Sequence, residues 1–153
     1  NMAGIVSSYA IVPNDTLRNT FYGWLNANEL NWPNMFATIA TQAAFLHGEE
    51  WRKEMLSYIE ENIRFVENFC HEHIPQIFPV RPQASYLVWL DCRNLGLEQE
   101  KLVSLFIDQA GLALNDGSIF GQEGNGFMRL NVGCPLSVLR QAFEQLRQAV
   151  DKR

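Results

Sequence analysis

The chain has 153 residues, a net charge of −5, 47% hydrophobic residues and 12% aromatics. That composition describes a packed domain with room for a core and excludes a disordered chain, and the acidic balance leaves no basic stripe for nucleic acid. No apolar run approaches the roughly 20 residues of a membrane helix, so a membrane partner is not expected either. Cys70, Cys92 and Cys134 are odd in number and widely spaced. They read as reduced thiols filling a core, which fits a cytoplasmic location better than a disulfide framework.

Along the chain, Met2 to Val12 is apolar and β-branched enough for a buried strand or a short helix, and periodicity does not choose between them. Pro13 breaks it. Asn14-Asp15-Thr16 matches a glycosylation sequon, but a turn and helix cap is the better reading in a chain with reduced cysteines. Leu17, Phe21, Trp24 and Leu25 give an amphipathic helix over Thr16 to Leu30, and Asn28 to Pro33 is a loop. From Met35 a second helix carries Phe36, Ile39, Ala40, Ala43 and Ala44 as one stripe, until Gly48 interrupts it. Glu49 and Glu50 then sit at the positive end of a third helix. Its stripe is Trp51, Met55, Ile59, Ile63, Val66 and Cys70, and it ends at His71-Glu72-His73. Two residues apart on a helix, those imidazoles diverge and cannot share a metal ion.

Pro75, Pro79 and Pro82 make Ile74 to Pro82 an extended connector. Ala84 to Leu90 alternates as a strand closed by Asp91. A helix from Gly96 with Leu102, Val103, Phe106 and Ala110 inside stops at Gly111, and Leu112 to Leu114 reads as a short strand. Gly121, Gly124 and Gly126 then mark a tight turn needing positive φ. After the turn Phe127, Arg129 and Asn131 alternate with Met128, Leu130 and Val132, a strand. The last segment, Cys134 to Val150, is the most regular amphipathic helix. Strand, helix, strand, strand, helix describes a small α/β sandwich reached by a long helix.

Arg129 is the odd residue, a permanent cation inside an apolar strand. Either it snorkels into water from a sheet margin, or its planar fork is held ready for a carboxylate. Familiar catalytic patterns are otherwise missing. The glycines lead into a strand, so they form neither a dinucleotide fingerprint nor a phosphate loop. No G-x-S-x-G or H-E-x-x-H pattern occurs, and Glu60-Glu61 and Glu98-Gln99-Glu100 read as solvated helix surface.

Five stretches in order carry a resemblance: Asn1-Met2-Ala3-Gly4, Pro33 to Ala37, Gly48 to Trp51, Ala84 to Asp91, and Gly126 to Asn131. Together they resemble the C-terminal portion of class I and II aminotransferase-like enzymes, which use pyridoxal phosphate. Within these the strand Tyr86 to Asp91 and the stretch Phe127 to Pro135 look most like the bacterial C-S lyases, the cystathionine β-lyase branch. The resemblance implies a fold type I enzyme, α/β, with residues 1–46 as the tail of the large cofactor domain. Residues 47–153 would be the connecting helix and the small domain.

It further implies that Arg129 binds the α-carboxylate of an amino-acid substrate, and that Asn34 and Phe36 approach a neighbouring subunit in a homodimer. The family's Schiff-base lysine would fall just before the motif that begins with Asn1. Lys53, Lys101 and Lys152 lie on predicted helix surfaces or at the terminus and are no substitutes, so the chain alone is expected to be inactive. In the intact enzyme the cofactor ring would delocalise the electrons left by loss of the α-proton, and a thiolate would leave from Cβ in a lyase. The resemblance does not separate lyase from aminotransferase. A domain kept only for interaction or regulation is the reading from a different class.

Overall fold

The computed structural model describes residues 2–153, so the first position of the motif at Asn1 lies outside the described residues. The chain divides into two compact units, residues up to Glu54 and Met55–Arg153.

In the first unit, a single 3-10 turn at Ala3–Ile5 is the regular structure of the stretch to Val12, so neither a strand nor a longer helix forms there. Helix α1 (Asp15–Ala27) starts where the sequence provides a cap. The Oδ1 of Asn14 accepts the Leu17 N–H at 3.0 Å, and Asp15 in the first turn pairs with Arg18 at 2.5 Å. Its end falls three residues before the expected Leu30, where the Asn28 side chain donates to the Trp24 carbonyl and Glu29 takes φ 55°. Helix α2 (Ala37–His47) departs from the expected one-sided stripe. Ala37 is buried, but Ile39, Phe45 and Leu46 are all exposed, so apolar side chains run around the helix. Gly48 caps it, its N–H donating to the Ala44 carbonyl at 2.9 Å, and no other residue fits there, because a Cβ would lie 2.5 Å from that oxygen. Ala37 is the one buried hydrophobic among the described residues of this unit, which therefore has no core of its own.

Helix α3 (Glu49–His73) begins in the first unit and continues into the second, where Ile59, Ile63, Val66 and Cys70 recur at helical spacing on its buried face. The second unit is a four-stranded antiparallel sheet, β1 (Phe78–Val80), β2 (Leu87–Asp91), β3 (Asn115–Asp116) and β4 (Phe127–Asn131), in the order β1-β2-β4-β3. One sheet face presents Val88, Leu90, Met128 and Leu130 to the helices. Against it pack α3, α4 (Gln99–Ser104) and α5 (Leu136–Asp151), the last through Leu139, Phe143, Leu146 and Ala149. Phe143 is buried edge-on to Phe65 and Phe69 and contributes about 2–3 kcal/mol by burial. The result is the small α/β sandwich expected, with one sheet face in the core and the other uncovered by these helices.

Three local expectations give way to backbone bonding. The proline connector contains β1, and Pro79 is tolerated there because an edge strand leaves one row of N–H groups unused. Leu112 to Leu114 is not a strand. Gly111 turns left-handed at φ 69°, and the N–H groups of Leu112 and Leu114 bond back to Phe106 and Leu112, so pairing waits until Asn115. Gly96, at φ 64°, closes a 3-10 turn instead of opening a helix, and α4 passes into π spacing over Leu105–Gln109.

Candidate functional site

Antiparallel register places side chains of paired residues on one side of a sheet. Val80 pairs Trp89, Trp89 pairs Arg129, and Arg129 pairs Asn115, so one row crosses all four strands on the face away from the core. Arg129 is half-buried in this row, not extended into water. Its guanidinium carbon lies 4.4 Å from the centre of the Phe120 ring, and Nη2 donates to Asn115 Oδ1 at 2.9 Å. The Nε atom is buried with no acceptor. Among the described residues the ion pairs leave Arg129 out, so its charge has no acid partner. An unsatisfied buried donor costs on the order of 1–3 kcal/mol.

A second arginine on the same face behaves differently. Arg93 also stacks on a phenylalanine, its guanidinium carbon 5.0 Å from the Phe127 ring centre. Both its Nε and Nη2 are closed by Asp91, at 2.9 and 2.6 Å. That guanidinium holds the Asp91 carboxyl below its ordinary value. Arg93 is neutralised within the protein; Arg129 is not.

Phe120 is held by a loop built for close contact. Gly117 and Gly124 meet backbone to backbone, and a Cβ on Gly124 would fall 2.0 Å from the Gly117 carbonyl oxygen. Gly124 is thus required for approach rather than for a positive φ, whereas Gly121 (126°) and Gly126 (81°) do adopt it. Gln99, from the first turn of α4, ties both ends of the loop. Its Nε2 donates to Asp116 Oδ1 at 2.6 Å, and its Oε1 accepts the Gly126 N–H at 2.6 Å. Burial pushes the Asp116 carboxyl up, but the backbone N–H of Ser118 and the Gln99 amide outweigh this and leave it lowered. Behind β4, the buried Asn62 of α3 donates to the carbonyls of Val132 and Cys134 at 2.8 and 2.9 Å and anchors the chain leaving the Arg129 strand. Beside the guanidinium, Val80, Trp89, Phe120, Glu123, Gly124 and Phe127 line a cleft of about 450 Å³.

Of the residues singled out from sequence, Arg129 is on this face. Asn34 and Phe36 are in the first unit, where Asn34 Oδ1 accepts the Phe36 N–H at 2.8 Å and the Phe36 ring is 64% exposed. His71 and His73 end α3 exposed, and among the described residues no cluster of ligands could hold a metal ion. Burial pushes the Cys70 thiol up to about 12 and raises Cys92 and the partly covered Cys134 as well, away from the thiolate form. Asn115, Phe120 and Gln99 escaped the sequence reading. The one available signal was Asn115-Asp116-Gly117, a turn-like run two residues before Ile119-Phe120.

The fold of this chain has close counterparts among solved structures. Cystalysin from Treponema denticola, which contains a pyridoxal 5'-phosphate cofactor, superposes with a TM-score of 0.94 at 27% identity, over 99% of this chain and 39% of that one. The pyridoxal-phosphate-bound C-S lyase of Staphylococcus hominis complexed with L-cycloserine gives 0.84 at 27%, over 97% and 36%. The chain belongs to the class I and II aminotransferase-like, fold type I pyridoxal-phosphate enzymes and matches their C-terminal portion. Its curated relatives include the cystathionine beta-lyase PatB of Bacillus subtilis, 35% identical over 98% of this chain, and the protein MalY of Escherichia coli, 30% identical over 98%. Each match takes in 39% of the relative, so the chain spans well under half the length of these proteins. No protein-family model matches it.

The cofactor of this family needs an amine for its aldehyde. Lys53, Lys101 and Lys152 are all exposed, Lys53 pairing with Glu49 at 3.6 Å, and none lies on the Arg129 row. The residues of this chain do not fit as the cofactor's covalent anchor.

Proposed function

We propose that this chain is the substrate-carboxylate-binding part of a pyridoxal-phosphate enzyme acting on amino acids in the cytoplasm, a C-S β-lyase in the first place and an aminotransferase in the second. The observation that carries it is Arg129: a guanidinium stacked on Phe120, held by a neutral amide, with an unsatisfied Nε and no internal acid. A planar fork of fixed orientation accepts a carboxylate through two parallel hydrogen bonds, which sets the direction of the substrate's Cα–H bond. The lyase preference rests on the 35% identity to PatB.

In the full-length enzyme, Arg129→Ala is expected to raise the KM for amino acids on the order of a hundredfold while cofactor absorbance is retained. An unchanged KM would refute the assignment. Cystathionine added to the same enzyme with a 2-oxo acid as amino acceptor should yield pyruvate and free thiol; conversion of that 2-oxo acid to its amino acid instead would move the reading to aminotransferase, and neither product would leave the interaction-domain reading. By itself the 153-residue chain should show no turnover, since its lysines are solvated. Residues 1–46 are proposed as the tail of the large domain and 47–153 as the connecting helix with the small domain. In the same proposal Asn34 and Phe36 meet the neighbouring subunit of a homodimer, which the exposure of Phe36 supports. Phe36→Asp should weaken that dimer in sedimentation velocity; unaltered sedimentation at micromolar protein would remove Phe36 from the interface.

A further inference from the structure

The two arginines of the open sheet face form a built-in comparison. Both guanidinium groups stack on a phenylalanine ring, at 5.0 and 4.4 Å, and both take a hydrogen bond partner from the same sheet face. Arg93 is closed by an acid, Asp91, through two nitrogens. The partner of Arg129 is the amide oxygen of Asn115, directly opposite it in register across β3 and β4. Asn and Asp are nearly identical in shape, and either oxygen could accept from Nη2. They differ in charge, and here the charge decides what Arg129 can still do.

We infer that Asn115 is a positioning residue that fixes the Arg129 fork without neutralising it, so that the guanidinium keeps its affinity for an incoming carboxylate. This rests on the reading of Arg129 as a carboxylate receptor. An amide holds Nη2 in place at 2.9 Å and leaves the full positive charge to the ligand. An acid at the same point would occupy the fork permanently, as Asp91 does for Arg93, and the substrate would have to displace it. Asn115 itself is exposed on the two-residue edge strand β3, so substitutions there spare the core.

The test compares Asn115→Asp with Asn115→Ala in the full-length enzyme. A merely structural hydrogen bond predicts that Asp, which keeps an acceptor, is the milder change and Ala the worse. Charge-neutral positioning predicts the opposite order. Asn115→Asp should raise the KM for amino acids roughly ten- to a hundredfold with kcat at saturation little changed, and Asn115→Ala should raise it only a few-fold. A substrate analogue lacking the carboxylate, the corresponding amine, should lose its disadvantage in Asn115→Asp, because nothing then competes for the fork. Thermal unfolding of both variants within a few degrees of the parent shows that the comparison is between folded proteins. If Asn115→Asp binds amino acids as well as the parent, or better than Asn115→Ala, the inference is overturned. The Arg129→Ala control separates the two failures: a raised KM there with no effect of Asn115→Asp sinks Asn115 alone, whereas an unchanged KM in Arg129→Ala sinks the receptor reading beneath it.

Discussion

A guanidinium differs from an ammonium in shape more than in charge, and Arg129 uses the shape. Its plane lies against Phe120 and one edge is taken by Asn115, so a lysine at 129 would keep the charge and lose both the stacking plane and the fork. The same experiment that removes the side chain therefore has a second arm: Arg129→Lys should recover only part of the lost affinity, leaving KM on the order of tenfold above the parent. Recovery of the parent value would mean that bulk charge, not geometry, binds the carboxylate. Arg129 was legible in the sequence because strand alternation exposes a cation among apolar residues. Asn115 was not, because a strand of two residues has no periodicity by which to assign its face.

At the scale of elements, the loop between β3 and β4 is fixed by what it lacks. Gly117 and Gly124 pass at a distance that admits no side chain on either, and Gln99 fastens the loop at Asp116 and Gly126. Gly124→Ala forces the 2.0 Å contact apart and is expected to destabilise the second unit by about 1–3 kcal/mol. It should also raise the KM for amino acids by displacing Phe120. Thermal unfolding and KM measured on the same preparation check both, and an unaltered melting temperature would show that the contact relaxes freely. The sequence announced a tight turn here through its glycines. It did not announce that two of them, seven positions apart, face each other, since that pairing depends on how the chain closes. The long helices were legible for the opposite reason: caps such as Asn14 and stripes such as Ile59, Ile63 and Val66 act within a few residues. β1 was obscured by its proline, and the length of α4 by the π-spaced turn after it.

At the scale of the whole molecule, the two units differ in how they are stabilised. The second buries a continuous core from α3, α4, α5 and the sheet, with Cys70 and Cys92 among its fully covered side chains. The folded Cys70 thiol is held protonated up to about 12, above the 9.0 of an ordinary cysteine, so the folded state keeps a proton that the unfolded chain releases first. The linkage sign follows: this contribution is complete below pH 9 and is lost as pH climbs toward 12, and Cys92, also raised, acts in the same direction. Urea midpoints under reducing conditions should therefore fall between about pH 8 and about pH 10 (about one unit on either side of the ordinary 9.0), and Cys70→Ala should flatten the slope. A midpoint constant across that range would contradict the buried, protonated thiol. The first unit shows the reverse economy, with Ile11, Trp32 and Phe45 among its bare side chains.

Those bare side chains make the character of the sheet margins consequential. One outer strand, β1, is three residues long and carries Pro79 at its centre, which has no N–H to offer a visiting strand. The other, β3, is two residues long and offers too short a row of backbone groups to pair with. Neither rim can serve as a template, so crowding of this chain through its greasy helices has no ladder along which to grow into fibres.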